Sequence, residues 1–230
     1  MKRESYFLTL FCIVSFVLIG YGFYTDINTR EEIRYYDALG LTISLVSSIL
    51  GVIFVVCEVL EQKMMFIVSI AASLFMIIYL FFWSPLIWDF MLSLGYLCIS
   101  IYGLYYCSQG ENRHREKVSK IPTQVLSWKE WKRYLIIGVI GTCILSTIGI
   151  YVGHYTSSLQ AISDAFTTVF SIIGQVLVSR KYLESWYMWI LTNAVSVPLY
   201  ISIGSYTYGA LFFCYLLISF YGLFLWKKRM

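Results

Sequence analysis

The sequence has little charge, little proline and almost no histidine. Only 13% of its 230 residues are charged, about half of the ~25% of a typical soluble domain. The two histidines, His114 and His154, fall in separate polar segments predicted to lie on opposite sides of the membrane, so they cannot share a metal ion. The phosphate-binding G-x-x-x-x-G-K-[ST], zinc-binding H-E-x-x-H and nucleophile G-x-S-x-G motifs are also missing. The sequence therefore predicts no enzyme activity, no cofactor and no nucleic-acid partner.

The six cysteines occur without the C-x-x-C spacing of redox and metal sites. All six fall within apolar stretches, where cysteine is usual as a small core residue. We therefore predict neither disulfides nor thiolate metal sites among them: Cys12, Cys57, Cys98, Cys107, Cys143 and Cys214.

Apolar residues dominate what is present, at 59% of a 26.7 kDa chain, which is more than a soluble protein of this size can bury. They are concentrated in segments near the ~20 residues that a helix needs to cross a bilayer. We predict an all-α polytopic membrane protein with about eight transmembrane helices: Tyr6–Tyr24, Ala38–Val59, Met64–Phe82, Leu86–Cys107, Tyr134–Gly153, Leu159–Val178, Ser185–Ile203 and Tyr206–Trp226. The first resembles a signal peptide, but it is too long and lacks a cleavage site.

The basic residues predict the orientation of these helices. If the N-terminus is cytoplasmic, 15 of the 17 lysines and arginines lie on the cytoplasmic side. The other two, Arg30 and Arg34, share an outer loop with acidic residues such as Asp26. The positive-inside rule therefore predicts an even number of spans, with both termini cytoplasmic.

The one long loop, residues 108–133, is basic and ends in a segment that mixes tryptophan with charge. Val125–Lys132 is typical of a short helix lying in the lipid headgroup layer. Two interpretations are open: a lipid-sensing or regulatory segment, or a plain linker that rests on the inner leaflet.

The chain repeats itself on either side of this loop. Residues 96–107 and 215–226 share seven of twelve positions at an offset of 119, including a Tyr-Gly-Leu sequence. The Ser-x-x-Gly of Ser48–Gly51 recurs in Ser171–Gly174 at an offset of 123. The spacing implies two parallel halves, an arrangement found in transporters that bind a solute between the halves. A duplicated structural bundle without a pathway is the alternative.

The densest polar and aromatic group lies in the seventh span. At 100° per residue, Trp189 and Asn193 lie on the same helix face as Trp186, and Tyr200 continues the stripe. Two indoles and a carboxamide are suited to a flat, preferably cationic, heteroaromatic solute. The alternative is that Trp186 belongs to an interfacial belt and Asn193 joins two helices.

Five further residues are weaker candidates for contact with a solute. Gln175 follows Gly174 and either faces the same cavity or packs between helices. Thr168 and Ser93 are of a type that most often bonds to its own backbone. Tyr96 and Tyr215 either hydrogen-bond a sugar or belong to an aromatic core.

Two aspartates near the outer ends of matched helices, Asp37 and Asp164, have a similar ambiguity. They either gate a pathway or relay protons, or they complement the dipole of their own helix in its first turn.

These residues together resemble a known family. The segment from Asp164 to Trp226 contains Gly174-Gln175, the Trp186-x-x-Trp189-x-x-x-Asn193 pattern and a terminal Tyr-Gly-Leu. It is similar to the PnuC family of bacterial transporters of nicotinamide riboside, a form of vitamin B3. The resemblance implies a SWEET-like fold of two three-helix bundles, residues 36–107 and 159–230, joined by a linker and linking helix in 108–158. Residues 1–35 are then an additional N-terminal helix and its outer loop.

The resemblance also implies a function. Family membership implies facilitated diffusion by a uniporter, trapping of the solute by cytoplasmic phosphorylation, and a homotrimer. By the same resemblance, Trp186 and Trp189 flank the nicotinamide or ribose and Asn193 bonds to it.

The first repeat departs from the family pattern and leaves the solute open. The chain has Gly103–Cys107 where relatives carry Gly-Trp and a further tryptophan, and it lacks an expected amide near Ser93-Leu94. Thiamine, riboflavin or a deoxynucleoside are alternative solutes. A membrane subunit that needs an ATPase partner, and a non-transporting receptor or scaffold, are alternatives of other classes.

Overall fold

The computed structural model describes residues 2–29, 35–59, 64–110, 124–153, 155–179 and 182–230. These residues form eight α-helices, which confirms the predicted all-helical fold. Each helix contains one of the predicted apolar segments to within one residue at either end. The helices are α1 (Lys2–Asn28), α2 (Tyr35–Val59), α3 (Met64–Trp83), α4 (Ile87–Gly110), α5 (Trp128–Val152), α6 (Ser158–Ser179), α7 (Ser185–Ser202) and α8 (Tyr206–Arg229).

Helix length and composition fit a bilayer. The shortest helix has 18 residues and the longest 27, so they extend about 27 to 40 Å at 1.5 Å per residue, against ~30 Å of hydrocarbon. In the described part of the chain, five segments are long and apolar enough to cross a membrane, and they belong to α1, α2, α3, α5 and α8. The apolar part described for α4 is shorter, Ile87–Ile101, and α6 and α7 carry more polar side chains.

The prediction of a separate headgroup helix before α5 is wrong. α5 begins at Trp128 and continues without a break to Val152. A capping box fixes its start: the Ser127 side chain accepts a bond from the Glu130 backbone N–H, and the Glu130 carboxylate accepts one from the Ser127 N–H at 2.9 Å. Trp128 is 72% exposed, and the Lys132 amine lies 5.4 Å from its ring centroid. The rest of the predicted linker, residues 111–123, lies outside the described residues.

Six of the helices close into a ring. In the first half α2 packs on α3 and α3 on α4, and in the second half α6 packs on α7 and α7 on α8. Two seams join the halves, one between α4 and α6 and the other between α8 and α2. This arrangement places the boundary between the repeated halves in the middle of the molecule, where the sequence repeat predicts a solute pathway.

The two remaining helices occupy matching places outside the ring. α5 packs mainly on α6 and also touches α4, so it lies over the α4/α6 seam. α1 packs mainly on α8 and also on α2, so it lies over the α8/α2 seam. α1, which the family resemblance predicts as an additional helix, therefore lies over one seam as the linking helix α5 lies over the other. Each half thus has four helices, but α5 packs mainly on α6 of its own half, whereas α1 packs mainly on α8 across the seam.

The backbones of α1 and α8 come into direct contact at Gly22. A methyl group at this position would lie 2.6 Å from the Tyr206 carbonyl oxygen and 3.1 Å from the Thr207 Cα. Both neighbours are backbone atoms, so neither can turn aside. Leu8, Phe11 and Ile19 lie along α1 and are buried in the same apolar core as residues of α8. Glycine at position 22 therefore sets how closely α1 approaches α8.

We expect Gly22→Ala to lower the free energy of unfolding by about 1–3 kcal/mol, the usual cost of overpacking a close contact. Gly20→Ala is the matched control, because a methyl group on Gly20 meets nothing within 4 Å. That substitution should be neutral or stabilising by up to ~1 kcal/mol, since alanine is the better helix former. Thermal unfolding of the purified protein in one detergent measures both, and equal midpoints would contradict the contact.

Candidate functional site

Two hydrogen-bonded joints close one end of the ring. We call it the capped end; α1, α3, α5 and α7 finish there. At the first joint, the fully buried Asp164 of α6 accepts bonds from the backbone N–H groups of Trp88 and Asp89, both at 3.0 Å. Its carboxylate thereby caps the first turn of α4, where the helix dipole favours a negative charge. The Tyr155 hydroxyl donates a further bond at 2.5 Å. Burial and the neighbouring Asp164 raise the pKa of Tyr155 above its usual range, so it stays protonated and donates.

This geometry corrects the interpretation of Asp164. The sequence allows it to complement the dipole of its own helix, but Asp164 is the seventh residue of α6 and lies beyond its first turn. The dipole that it complements belongs to α4, in the other half of the ring. Asp37, by contrast, does lie in the first turn of α2.

Tyr200 completes the first joint. It is fully buried, its hydroxyl donates to the Asp89 carboxylate at 2.8 Å, and its ring stacks on Phe212 with centroids 4.9 Å apart. The hydroxyl of Ser93 donates to the Asp89 carbonyl in its own helix at 2.8 Å. Both residues are predicted solute contacts. The structure places Tyr200 in the closure of the capped end and Ser93 in a bond within α4.

The second joint holds the start of α8. Asp26 of α1 accepts bonds from the backbone N–H groups of Tyr206 and Thr207 at 2.6 and 2.8 Å, and the Thr207 hydroxyl also donates to it. From the first half, the Tyr79 hydroxyl donates to Ser205 at 2.9 Å. The sequence placed Asp26 in an outer loop; the structure places it 2% exposed in the last turns of α1. In the sequence, only the position of Asp26 next to a predicted loop indicated that its carboxylate could cap a helix.

Between α4, α5 and α6 lies a cavity of about 350 Å³. It extends along α4 from Trp88, beside the first joint, to Ile99, and its walls are mainly apolar. Three of the predicted contact residues line it: Tyr96, Thr168 and Gln175. The cavity therefore lies at the α4/α6 seam, next to the closed end. It is open to the outer face of the ring, because four of its lining side chains are 38–52% exposed: Met91, Ile99, Ile172 and Val176.

Two polar groups of this cavity wall have no hydrogen-bond partner within the described ranges. They are the Thr168 hydroxyl, in a side chain only 3% exposed, and the indole N–H of Trp88; both atoms are buried behind the cavity surface. Buried polar groups in proteins are nearly always bonded, so each exception calls for a partner. An apolar cleft with a few converging polar groups is the usual form of a small-molecule site.

The predicted indoles and carboxamide of α7 lie against other helices rather than lipid. The ring of Trp186 packs against Gly222 of α8. Trp189 lies beside Gly174 of α6, where a methyl group would be 3.5 Å from the indole. Asn193 is 6% exposed and donates to the Ser219 hydroxyl at 3.3 Å. The glycines that mark the sequence repeat are therefore the positions against which the two indoles pack.

The two seams differ although the sequence repeat relates them. At the α8/α2 seam, the hydroxyl of Tyr215 occupies the space beside Gly51, which a side chain there would need. Its repeat counterpart, Tyr96, lines the open cavity at the α4/α6 seam. The structure therefore fills one seam with a tyrosine and leaves a cavity at the other.

Two further serines differ in the bonds that they make. Ser219 donates to the Tyr215 carbonyl in its own helix at 2.7 Å. Ser100 instead pairs with the hydroxyl of Ser69 in α3 at 2.7 Å. In the portion that the structure describes, no three His, Cys, Asp or Glu side chains are grouped to hold a metal.

Comparison with known proteins bears on this arrangement. The model of the nicotinamide mononucleotide transporter family matches residues 41–228, which is most of the chain. The chain belongs to this family. Its resemblance to the PnuC proteins is confirmed, and the matched region contains α3 to α7 in full, most of α2 and all but the last residue of α8.

Individual relatives agree with this assignment. The chain is 28% identical to the nicotinamide riboside transporter PnuC of Neisseria mucosa over 126 residues, covering 52% of the chain and 45% of that relative. It is 22% identical to the riboflavin/roseoflavin transporter RibM of Streptomyces davaonensis over 133 residues, 58% of each. The chain thus spans about half the length of the curated relatives that it matches. A crystal structure of the vitamin B3 transporter PnuC has the same fold, with a TM-score of 0.68 at 19% identity over 100% of this chain and 92% of the other.

We expect Thr168→Val to leave stability unchanged or to raise it by up to ~1 kcal/mol, because no hydrogen bond in the described structure is lost. Thr192→Val is the control, since the Thr192 hydroxyl bonds to the Met188 carbonyl at 3.0 Å and does not line the cavity. If Thr168 contacts the solute, Thr168→Val weakens binding of that solute by roughly 5- to 10-fold, the loss of one hydrogen bond. Thr192→Val then leaves the binding unchanged. Calorimetry with both variants measures this, and equal binding would remove Thr168 from the site.

Proposed function

We propose that this protein is a uniporter for a small nucleoside-like vitamin precursor, with nicotinamide riboside as the first candidate. The observation that supports this most is the cavity at the α4/α6 seam, beside the capped end, with unpartnered polar groups in its wall. A solute site at the boundary of two repeated halves is what alternating access requires. Rocking of one half against the other would open the capped end and close the opposite one.

The charge of the site favours a cation and opposes a phosphate. Among the residues that the structure describes, the cavity lining contains no lysine, arginine or histidine, whereas Asp89 and Asp164 lie next to its Trp88 wall. A phosphate dianion here would lack a compensating charge. The site therefore suits a riboside better than its mononucleotide. It also suits the cationic pyridinium of nicotinamide riboside or the thiazolium of thiamine better than the neutral riboflavin or thymidine.

The tryptophans of α7 would form a second contact region for the same solute. Trp186 and Trp189 lie at the end of α7 opposite the capped end, where their indoles border α8 and α6. Stacking and cation–π attraction to an indole contribute about 0.5–2 kcal/mol each. Gln175 follows Gly174 on the helix beside Trp189 and lines the cavity. A solute passing between the halves would thus move from the cavity towards the indoles and Asn193.

The cellular setting follows from the charge distribution and the family. We propose the bacterial inner membrane, with both termini cytoplasmic and the capped end outward. In that setting the solute would be trapped by cytoplasmic phosphorylation after it diffuses in. A homotrimer is part of the same proposal, as is the division into two three-helix bundles with a linking helix.

Uptake into proteoliposomes tests this function. We expect labelled nicotinamide riboside to enter down its gradient without an added ion gradient or nucleotide, and unlabelled thiamine to compete better than riboflavin or thymidine, because the site favours a cation. Nicotinamide mononucleotide should not compete. If uptake needs an ATPase partner, the protein is a transport subunit instead. Equal, slow leakage of all solutes would reject transport altogether.

A second test concerns Asn193. We expect Asn193→Ala to weaken binding of nicotinamide riboside by about 5- to 150-fold, the loss of one hydrogen bond to a desolvated polar group. Folding should survive, because the Ser219 hydroxyl keeps its bond to the Tyr215 carbonyl. Asn28→Ala is the control, since its amide bonds only to the Tyr24 carbonyl on the surface of α1. Unchanged affinity in Asn193→Ala, measured by calorimetry, would exclude this residue from the site.

A further inference from the structure

We propose that the N-terminal helix α1 is the latch of the capped end, and that Asp26 is the group that holds it shut. In this proposal, separation of Asp26 from the first turn of α8 is a necessary step in opening that end. The proposal rests on the proposed transport function for its purpose. Its structural content, a joint that opens, is tested separately below.

The latch is built from two features one helical turn apart on the same face of α1. Gly22 allows backbone contact with Tyr206 and Thr207. Asp26, four residues later, then reaches the N–H groups of the same two residues. At the other end of α1, Phe7 stacks on Tyr221 with ring centroids 3.6 Å apart. α1 is therefore fixed along the length of α8, and the Asp26 end carries the polar bonds.

Each joint at the capped end connects one half of the ring with helices of the other. Asp164 of α6 caps α4, and Asp26 of α1 caps α8, which Tyr79 of α3 also holds through Ser205. Rocking of the halves cannot open this end while either connection is intact. Both carboxylates must therefore release their helix N-terminus during the cycle.

The sequence repeat explains why α1 supplies the second carboxylate. With the offset of 123 set by the Ser-x-x-Gly anchors, the α2 counterpart of Asp164 is Leu41. Leu41 is 5% exposed and cannot accept a hydrogen bond from the start of α8. Backbone N–H groups at a helix start need an acceptor where water is scarce. Asp26 fills the position that the repeat leaves without one, so α1 is part of the closing mechanism.

The native Cys214 provides a reporter for this joint. It lies in α8 two turns beyond Thr207, is fully buried, and belongs to the same apolar core as Ile19 of α1. A variant in which the other cysteines are replaced by alanine leaves this thiol as the one site for a maleimide. Its labelling rate, measured on the purified 230-residue protein in detergent, reports how often α1 and α8 separate. No solute is needed.

We expect Asp26→Ala to accelerate labelling of Cys214 on the order of tenfold or more, because three donors lose their acceptor. Thr25→Ala is the matched control: the neighbouring hydroxyl bonds only to the Tyr21 carbonyl of its own helix, and the rate should not change. Thr207→Val removes one donor to Asp26 while keeping the side-chain shape, and it should accelerate labelling about fivefold.

The outcomes separate the latch from the transport function. An unchanged labelling rate in folded Asp26→Ala would overturn the latch even if nicotinamide riboside is transported. If Asp26→Ala does not fold, Thr207→Val decides, and a wild-type rate in that variant overturns the proposal. Faster labelling in a protein that transports none of the tested solutes would support the joint while rejecting the proposed function.

Discussion

The first turn of a helix exposes backbone N–H groups with no partner inside the helix, and a buried first turn has no water to supply one. The structure meets this constraint at α4 and α8 with carboxylates from other helices, Asp164 and Asp26. Each acceptor belongs to the opposite half of the molecule or to the helix beside it. Satisfying the two N-termini therefore closes the ring at one end. The position of the cavity, directly beside the first joint, depends on that closure.

The pseudo-symmetry of the chain is used differently at its two seams. Tyr215 fills the space beside Gly51, whereas its counterpart Tyr96 borders a cavity. The covering helices differ in the same way, since α1 packs closely on α8 through Gly22 and α5 only touches α4. A duplicated sequence can thus give one tightly packed seam and one with room for a solute, because packing depends on a few side chains that differ between the repeats.

The glycines shared by the repeats have a packing role that also bears on function. Gly174 and Gly222 leave space for the indoles of Trp189 and Trp186. A larger residue at either position would displace a ring that the family resemblance connects with the solute. The glycines of the repeat motif and the tryptophans of α7 therefore contact each other, and these contacts hold α7 between α6 and α8.

The sequence by itself determined the helices, since segments of about twenty apolar residues have few alternatives in a membrane, and the repeat predicted two halves with a seam. It also selected Thr168, Gln175 and Tyr96, which line the cavity. Only the tertiary structure decided that Tyr200 bonds to Asp89, that Asp164 caps α4, and that Asp26 is buried at α8. These contacts join residues 75 to 181 positions apart, and the periodicity of one helix holds no information about which other helix lies against each face.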